Sequence, residues 1–323
     1  MPRFAALDCG TNSLRLLISD FHLDGDVLEG TELARLNEIV RLGQGVDATG
    51  RISDEALRRV KLTLARYIDL MLQENVQAVR MVATSASRDA ENRDDFFNLT
   101  ADMLGEHWPG VKAEVISGAE EAALSFRGAV EDLSPEDGPF CVVDLGGGST
   151  EVIVGDYHGD IAGAYSANMG CVRITERLLL SDPPTEEEIA AAREFIAEQM
   201  ADVRAAVPLA KTHTLVGCAG TFTTLSAVAQ GLETYDPQAI HMSRLRFEAL
   251  RSLCGTLLAT PKGRRAADPV IHPGRADVIG GGALVVEAIL DTMSAEAGLS
   301  SIVISEKDLL DGIVAGLVDE HLH

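Results

Sequence analysis

Short apolar runs alternate with turn-forming clusters from the start of the chain. Phe4 to Leu7 and Leu14 to Ile18 are β-type runs joined by the small-residue turn Asp8-Cys9-Gly10-Thr11-Asn12-Ser13, which predicts a hairpin. Val27 to Val40 mixes β-branched and polar residues and is expected to complete a meander, with Gly43 and Gly45 in the loop after it. The spacing then becomes helical: Leu57, Val60, Leu64, Ile68 and Met71 recur behind Ser53, a suitable N-cap. Ala78 to Ala83 reads as a buried strand, Thr84 to Asp89 as a loop at its carboxyl end, and Asn92 as the cap of a helix containing Phe96, Phe97 and Met103. A strand from Ala113 to Ile116, a helix from Glu120 to Val130 and a surface turn from Leu133 to Pro139 follow.

At Phe140 the pattern begins again. Phe140 to Val143 leads into Asp144-Leu145-Gly146-Gly147-Gly148-Ser149-Thr150-Glu151, and Val152 to Val154 leaves it. A shift of 136 positions lays Asp8 on Asp144, Gly10 on Gly146, Ser13 on Ser149 and Asp20 on Asp156. A repeat of that size implies two related halves. Gly170 to Arg173 open a helix, and Thr185 to Glu188 have the capping-box form, so their acidic run reads as a helix start. The strand Thr214 to Val216 runs into Gly217-Cys218-Ala219-Gly220-Thr221 at the head of another helix. Helices are expected over Ser243 to Leu258, Arg275 to Met293 and Lys307 to about His321, with a strand from Ser301 to Ile304.

Composition narrows the class. With 323 residues, 46% hydrophobic and 24% charged, the chain is long enough for two domains with cores. The opening Met1-Pro2-Arg3 shows no signal-peptide pattern and no apolar stretch reaches the roughly 18 residues of a membrane span, so a cytoplasmic protein is expected. Five scattered cysteines without metal spacing are expected to be buried thiols. The net charge of −23 argues against nucleic acid or anionic membrane as partners. It also means that a polyanionic substrate must be drawn by backbone N–H groups, divalent cations or a local basic cluster, of which Lys262-Gly263-Arg264-Arg265 is the strongest.

Glycine-rich hairpin turns can direct several N–H groups at one point and so hold phosphate oxygens. The candidates are Gly10, Thr11, Asn12 and Ser13 in the first copy and Gly146, Gly147, Gly148 and Ser149 in the second. Asp8 and Asp144 either close these turns or hold Mg²⁺, a hard cation that takes oxygen ligands; Glu151 is a further metal candidate or an exposed strand residue. Arg88 can grip phosphate oxygens bidentately or pair with Asp89 or Asp94. Glu121, on the first turn of a helix beside the cradle, can deprotonate an attacking water or be a solvated glutamate favoured by the helix dipole. Arg15 reads as an ion-pair residue.

DCGTNS, SGAEEA and DLGGGSTE, in this order and at these distances, resemble the exopolyphosphatase/guanosine pentaphosphate phosphatase family of the actin-like ATPase superfamily, from about Phe4 to Gly312. The resemblance implies an α/β fold of two actin-like, ribonuclease H-like domains, each a mixed sheet flanked by helices, with a cleft between them. Domain I would run over residues 1–128 and about 306–323, and domain II over 129–305. The resemblance further implies release of terminal orthophosphate from inorganic polyphosphate, of short chains in this form, and/or from guanosine pentaphosphate. Glu121 would be the catalytic base, Arg88 an orienting cation, and Mg²⁺ or Mn²⁺ the cofactor. The turn holding Gly217, Gly220 and Thr221 resembles one that approaches adenosine in nucleotide-binding relatives, and a homodimer is compatible with the family. Two rivals stand beside this reading: a non-catalytic sensor of guanosine tetra- or pentaphosphate, and an ATP-dependent kinase or ATPase of the same superfamily.

Overall fold

The computed structural model describes residues 2–24 and 27–322; Met1 and His323, which the sequence reading places in the first domain, lie outside the described residues. Two compact units emerge, one of Met1–Ser117 with Leu309–His323 and one of Gly118–Asp308. The divisions at 117/118 and 308/309 stand against the expected 128/129 and 305/306.

In chain order the first unit contains β1 (Arg3–Cys9), β2 (Ser13–Asp24), β3 (Val27–Ile39), α1 (Val46–Thr49), α2 (Asp54–Gln73), β4 (Ala78–Ala83), α3 (Ser85–Asp89), α4 (Arg93–Gly105) and β5 (Ala113–Val115). The sheet order is β3-β2-β1-β4-β5: an antiparallel meander to which β4 and β5 add parallel to β1. Helix α2 lays Val60, Leu64 and Met71, all fully buried, into the core, and Ser53 caps it by accepting the Ala56 N–H at 3.2 Å. Two expectations fail here. Thr84 to Asp89 is not a plain loop but carries the short helix α3. Asn92 stands before α4 without capping it; its amide accepts the Ile52 N–H at 2.8 Å and donates to the Ile52 carbonyl at 3.0 Å. An amide has both a donor and an acceptor, so it can satisfy both polar groups of one distant residue where a cap would satisfy only N–H groups.

The second unit contains α5 (Gly118–Val130), β6 (Phe140–Leu145), β7 (Thr150–Gly155), β8 (Ile161–Ala167), α6 (Cys171–Leu178), α7 (Glu186–Ala206), β9 (Thr214–Cys218), α8 (Ala219–Ala229), α9 (Pro237–Ile240), β10 (Ser243–Arg246), α10 (Phe247–Ala259), α11 (Lys262–Arg265), α12 (Ile279–Ala297) and β11 (Ser301–Ile304). Helix α13 (Leu309–Leu322) belongs to the first unit, where Leu317 and Val318 pack on Phe4. The sheet order β10-β11-β9-β6-β7-β8 repeats the first unit's plan, with a meander β6-β7-β8 and β9 parallel to β6. The 136-residue repeat is therefore a repeat of topology. Ser243–Arg246 corrects the expected helix: it is a strand paired antiparallel with β11, and the helix begins only at Phe247. Its alternating Ser-Arg-Leu-Arg pattern has period two, and the edge of an existing sheet offers it a ladder. The capping box at Thr185 forms as expected, with Glu188 N–H to Thr185 Oγ1 at 3.2 Å and the Thr185 N–H to Glu188 Oε2 at 2.9 Å. All five cysteines are buried thiols outside any disulfide.

Helix α5 crosses the β6–β7 face. Even-numbered Phe140 and Val142 on β6 and odd-numbered Ile153 on β7 pack with Ala122, Phe126 and Ala129, while Cys141, Val143, Val152 and Val154 face the opposite core. Burying Phe126 alone contributes about 1.5–3 kcal/mol. Beyond the helix end, Lys307 Nζ lies 3.0 Å from Glu131 and 2.7 Å from Asp132, and His241 Nε2 lies 3.0 Å from Asp132. Burial pushes the Asp132 carboxyl up, but Lys307 and His241 together pull it further down, so its net shift is downward. A carboxyl lowered on folding contributes stability that is complete above its unfolded pKa of about 4 and is lost as pH falls through the lower folded value. Urea midpoints of wild type and Asp132→Asn should therefore differ by a constant amount from neutral pH down to about pH 4 and converge below it. A gap unchanged into strong acid would contradict the assignment.

Candidate active site

The second hairpin turn is held by the start of a helix. Helix α6 begins at Cys171, and its first backbone N–H groups have no partner inside the helix. They donate to the turn: Cys171 N–H to the Gly146 carbonyl at 3.0 Å, and Val172 and Arg173 N–H to the Gly147 carbonyl at 2.8 and 3.1 Å. Gly170 N–H and Arg173 Nε both donate to the Gly148 carbonyl, at 3.2 and 2.8 Å. In a trans peptide the N–H points opposite to its carbonyl. With the carbonyls of Gly146, Gly147 and Gly148 all drawn toward α6, the N–H groups of Gly147, Gly148 and Ser149 point away from it. Such a run of N–H groups is an anion-binding concavity. Burial pushes the neighbouring Cys171 thiol up to about 11, against the pull of Arg275 and Thr221, so no thiolate competes there.

The first turn is built alike. Gly10 N–H donates to the Ser13 carbonyl at 3.0 Å, as Gly146 N–H does to that of Ser149. Val40 and Arg41 N–H donate to the Asn12 carbonyl at 3.0 and 2.8 Å, and Gly43 N–H to the Thr11 carbonyl at 2.9 Å. The N–H groups of Asn12 and Ser13 are thereby turned away from residues 40–43. Arg88, on α3, donates from Nη1 to the Ile116 carbonyl at 2.9 Å, bridging the carboxyl ends of β4 and β5.

The two copies differ at the position opposite the aspartate. In the first unit Asp8 pairs across the strands with Arg15, whose Nε and Nη2 both donate to Asp8 Oδ2, at 2.9 and 2.8 Å. In the second unit Asp144 pairs with Glu151. Strand alternation puts both on the α5 face, where Asp144 is 6% and Glu151 1% exposed, so Glu151 is not the exposed strand residue that remained open from sequence. Ser125 Oγ donates to Asp144 Oδ2 at 2.6 Å, and Ser166 Oγ on β8 donates to Glu151 Oε1 at 2.7 Å. Glu121 is 6% exposed on the first turn of α5; the neighbouring Gly118 lies so near Ser166 that an added Cβ would come within 2.6 Å of the serine Cβ. Like charges directly opposite on paired strands are destabilising, and burial raises the cost. The first unit puts an ion pair at this position; the second puts two buried acids there, Asp144 and Glu151, with Glu121 buried on the helix that packs over the same sheet face.

That donor set has the hard oxygen chemistry of Mg²⁺ or Mn²⁺. Among the described residues no group of three His, Cys, Asp or Glu side chains closes on a common ion. Mg²⁺ commonly rests on one or two carboxylates and retains several waters, so the buried acids Asp144 and Glu151 have the chemistry to hold it. Arg15 engages only Oδ2 of Asp8.

Other sequence candidates have structural work of their own. Gly217 lies under the Phe222 ring, Gly220 under the Arg275 guanidinium, and Thr221 against Gly282. Arg275 Nη1 also donates to Thr224 Oγ1 at 2.8 Å. The basic cluster is largely paired with acids: Arg265 is 5% exposed with Nη2 3.4 Å from Asp182, and Lys262 Nζ is 3.6 Å from Asp277. Ser125, Ser166, Gly170 and Arg173 are site residues that sequence reasoning missed. Gly170 had a signal, since it stands where a helix opens without a side-chain cap, but its partners lie in a different part of the chain.

The fold has known relatives. A crystal structure described as an exopolyphosphatase-like protein superposes with a TM-score of 0.91 at 38% identity, covering 98% of this chain and 99% of that one. The Aquifex aeolicus member of the Ppx/GppA family superposes with a TM-score of 0.78 at 29% identity, covering 100% and 99%. Fold and turn thus define an α/β protein of the two-domain actin-like class. Residues 25–321 match the Ppx/GppA phosphatase family, and the chain belongs to that family. It is 51% identical over 317 residues to the protein named Exopolyphosphatase 2 of Mycobacterium tuberculosis strain H37Rv, covering 98% of this chain and 99% of that protein. No helix among the described residues is long and apolar enough to cross a membrane.

Proposed function

We propose that this protein is an exopolyphosphatase-type hydrolase that releases terminal orthophosphate from inorganic polyphosphate, preferentially short chains. The observation that carries the reading is the set of N–H groups of Gly147, Gly148 and Ser149, turned away from α6 in the unit that also buries Glu121, Asp144 and Glu151. The terminal phosphoryl oxygens accept these N–H groups, and Glu121 takes a proton from a water whose oxygen bonds to the terminal phosphorus. The phosphoanhydride P–O bond breaks, its electron pair leaving on the shortened chain, and the added phosphate departs as orthophosphate. Asp144, with Glu151 in support, would hold Mg²⁺ or Mn²⁺, which when bound offsets charge on the phosphoryl oxygens. In the other unit, the Gly10–Ser13 turn and Arg88 are the proposed phosphate-contacting groups. Phosphoryl transfer depends chiefly on positioning and electrostatic stabilisation, and these groups supply both.

Polyphosphate is favoured over a nucleotide by near-full-length similarity to a protein named as an exopolyphosphatase. The test is phosphate release from polyphosphate of defined length, guanosine pentaphosphate and ATP in the presence of Mg²⁺. Release from polyphosphate and not from ATP is the expected result. Tight binding of guanosine pentaphosphate with no release from any substrate would instead identify a sensor.

A further inference from the structure

We propose that Ser125 is a positioning residue that sets Asp144 relative to the helix bearing Glu121 and thereby raises the divalent-cation affinity of the second unit; the inference rests on reading that layer as the phosphohydrolase site. Ser125 is 0% exposed, and its Oγ donates to Asp144 Oδ2 at 2.6 Å. A serine inside a helix commonly turns its hydroxyl to solvent or back to the carbonyl four residues earlier. This one donates across to the sheet.

Its position in the helix gives that bond its consequence. Ser125 follows Glu121 by four residues, so the two share one face of α5 about 6 Å apart along the axis. Ala122, Phe126 and Ala129 supply apolar contacts that set the spacing of α5 from the sheet. Apolar contacts are non-directional. The hydroxyl-to-carboxylate bond is directional, and it joins Asp144 to the helix face that carries the proposed base.

The first unit shows what the choice of donor decides. Asp8, at the equivalent position, is held by the full charge of Arg15, which neutralises it. The Ser125 hydroxyl holds Asp144 Oδ2 without bringing a charge of its own. Partners that orient a metal-binding carboxylate typically contribute about 10- to 100-fold in affinity.

The experiment follows the thermal midpoint of the full chain against Mg²⁺ concentration for wild type, Ser125→Ala, Ser125→Cys and Ser226→Ala. Ser226 is an equally buried serine in the same unit whose hydroxyl meets Ser243 at 2.8 Å and accepts from Gln230 Nε2 at 2.9 Å, so its loss reports the removal of a buried, hydrogen-bonded hydroxyl away from Asp144. Wild type and Ser226→Ala are expected to reach half-maximal stabilisation at the same Mg²⁺ concentration, whatever their absolute midpoints. Ser125→Ala should need roughly 10- to 100-fold more Mg²⁺. Ser125→Cys, which keeps the side-chain shape with a weaker donor, should fall between and serves alone if the alanine variant does not fold. An unshifted Mg²⁺ dependence in the Ser125 variants, or a wild type whose midpoint ignores Mg²⁺, would overturn the proposal. Failure of the hydrolase reading shows separately, as absence of phosphate release by wild type, because the midpoint titration needs no substrate.

Discussion

Glu121→Gln lowers the rate of phosphate release from polyphosphate by roughly 10²- to 10⁴-fold, the usual contribution of a positioned general base, with little change in KM. The amide keeps the shape of the carboxylate and a hydrogen-bond acceptor but loses the basicity that takes the proton from water. Glu121 is 6% exposed and glutamine keeps its volume, so the measurement sets turnover beside thermal midpoint: a loss of turnover out of proportion to any loss of stability is expected, whereas a residue important only for folding would lower both together. Equal phosphate release by variant and wild type would remove Glu121 from the mechanism.

Gly170→Ala is the second large effect, and it acts through the backbone. Gly170 has φ −76 and ψ 159, a conformation that alanine adopts freely, so the cost is not one of backbone strain. A Cβ at this position would stand 2.3 Å from the carbonyl carbon and oxygen of Gly147 and 2.4 Å from the nitrogen of Gly148. None of these atoms can rotate away. Either the turn or the start of α6 must shift, and the bonds that hold the Gly146, Gly147 and Gly148 carbonyls are lost with it. The expected outcome is a stability loss of about 1–3 kcal/mol, the usual cost of overpacking, together with loss of most phosphate release. Gly255→Ala in α10 is the control, since nothing lies within 4 Å of its added Cβ; it should be neutral or stabilising by up to about 1 kcal/mol. Urea midpoints and phosphate release measured on both variants decide the matter. Wild-type stability and turnover in Gly170→Ala would refute the close approach of α6 to the turn.

Much of the fold was legible because its signals are local. The hairpins around Asp8 and Asp144, the period of α2 and the caps at Ser53 and Thr185 depend on residues within a few positions of one another. The repeat was legible because the two turns retained matching residues. Ser243–Arg246 was misread because four residues of alternating polarity become a strand only when β11 offers its edge. Asn92 was misread because its amide finds Ile52, forty positions away.

The candidate site divides along the same line. Sequence alone determined the glycine turns, the acidic residues beside them and the family, all of which are carried by contiguous motifs. Tertiary structure alone decided what each acid faces. Strand register puts Arg15 opposite Asp8 and Glu151 opposite Asp144, so one copy faces its aspartate with a base and the other with a second buried acid. It also decided that α6 draws the turn carbonyls to one side, that Gly170 leaves room for it, and that Ser125 reaches Asp144. These are relations between residues separated by many positions in the chain, and cross-strand register and helix packing, which no short motif encodes, bring them together.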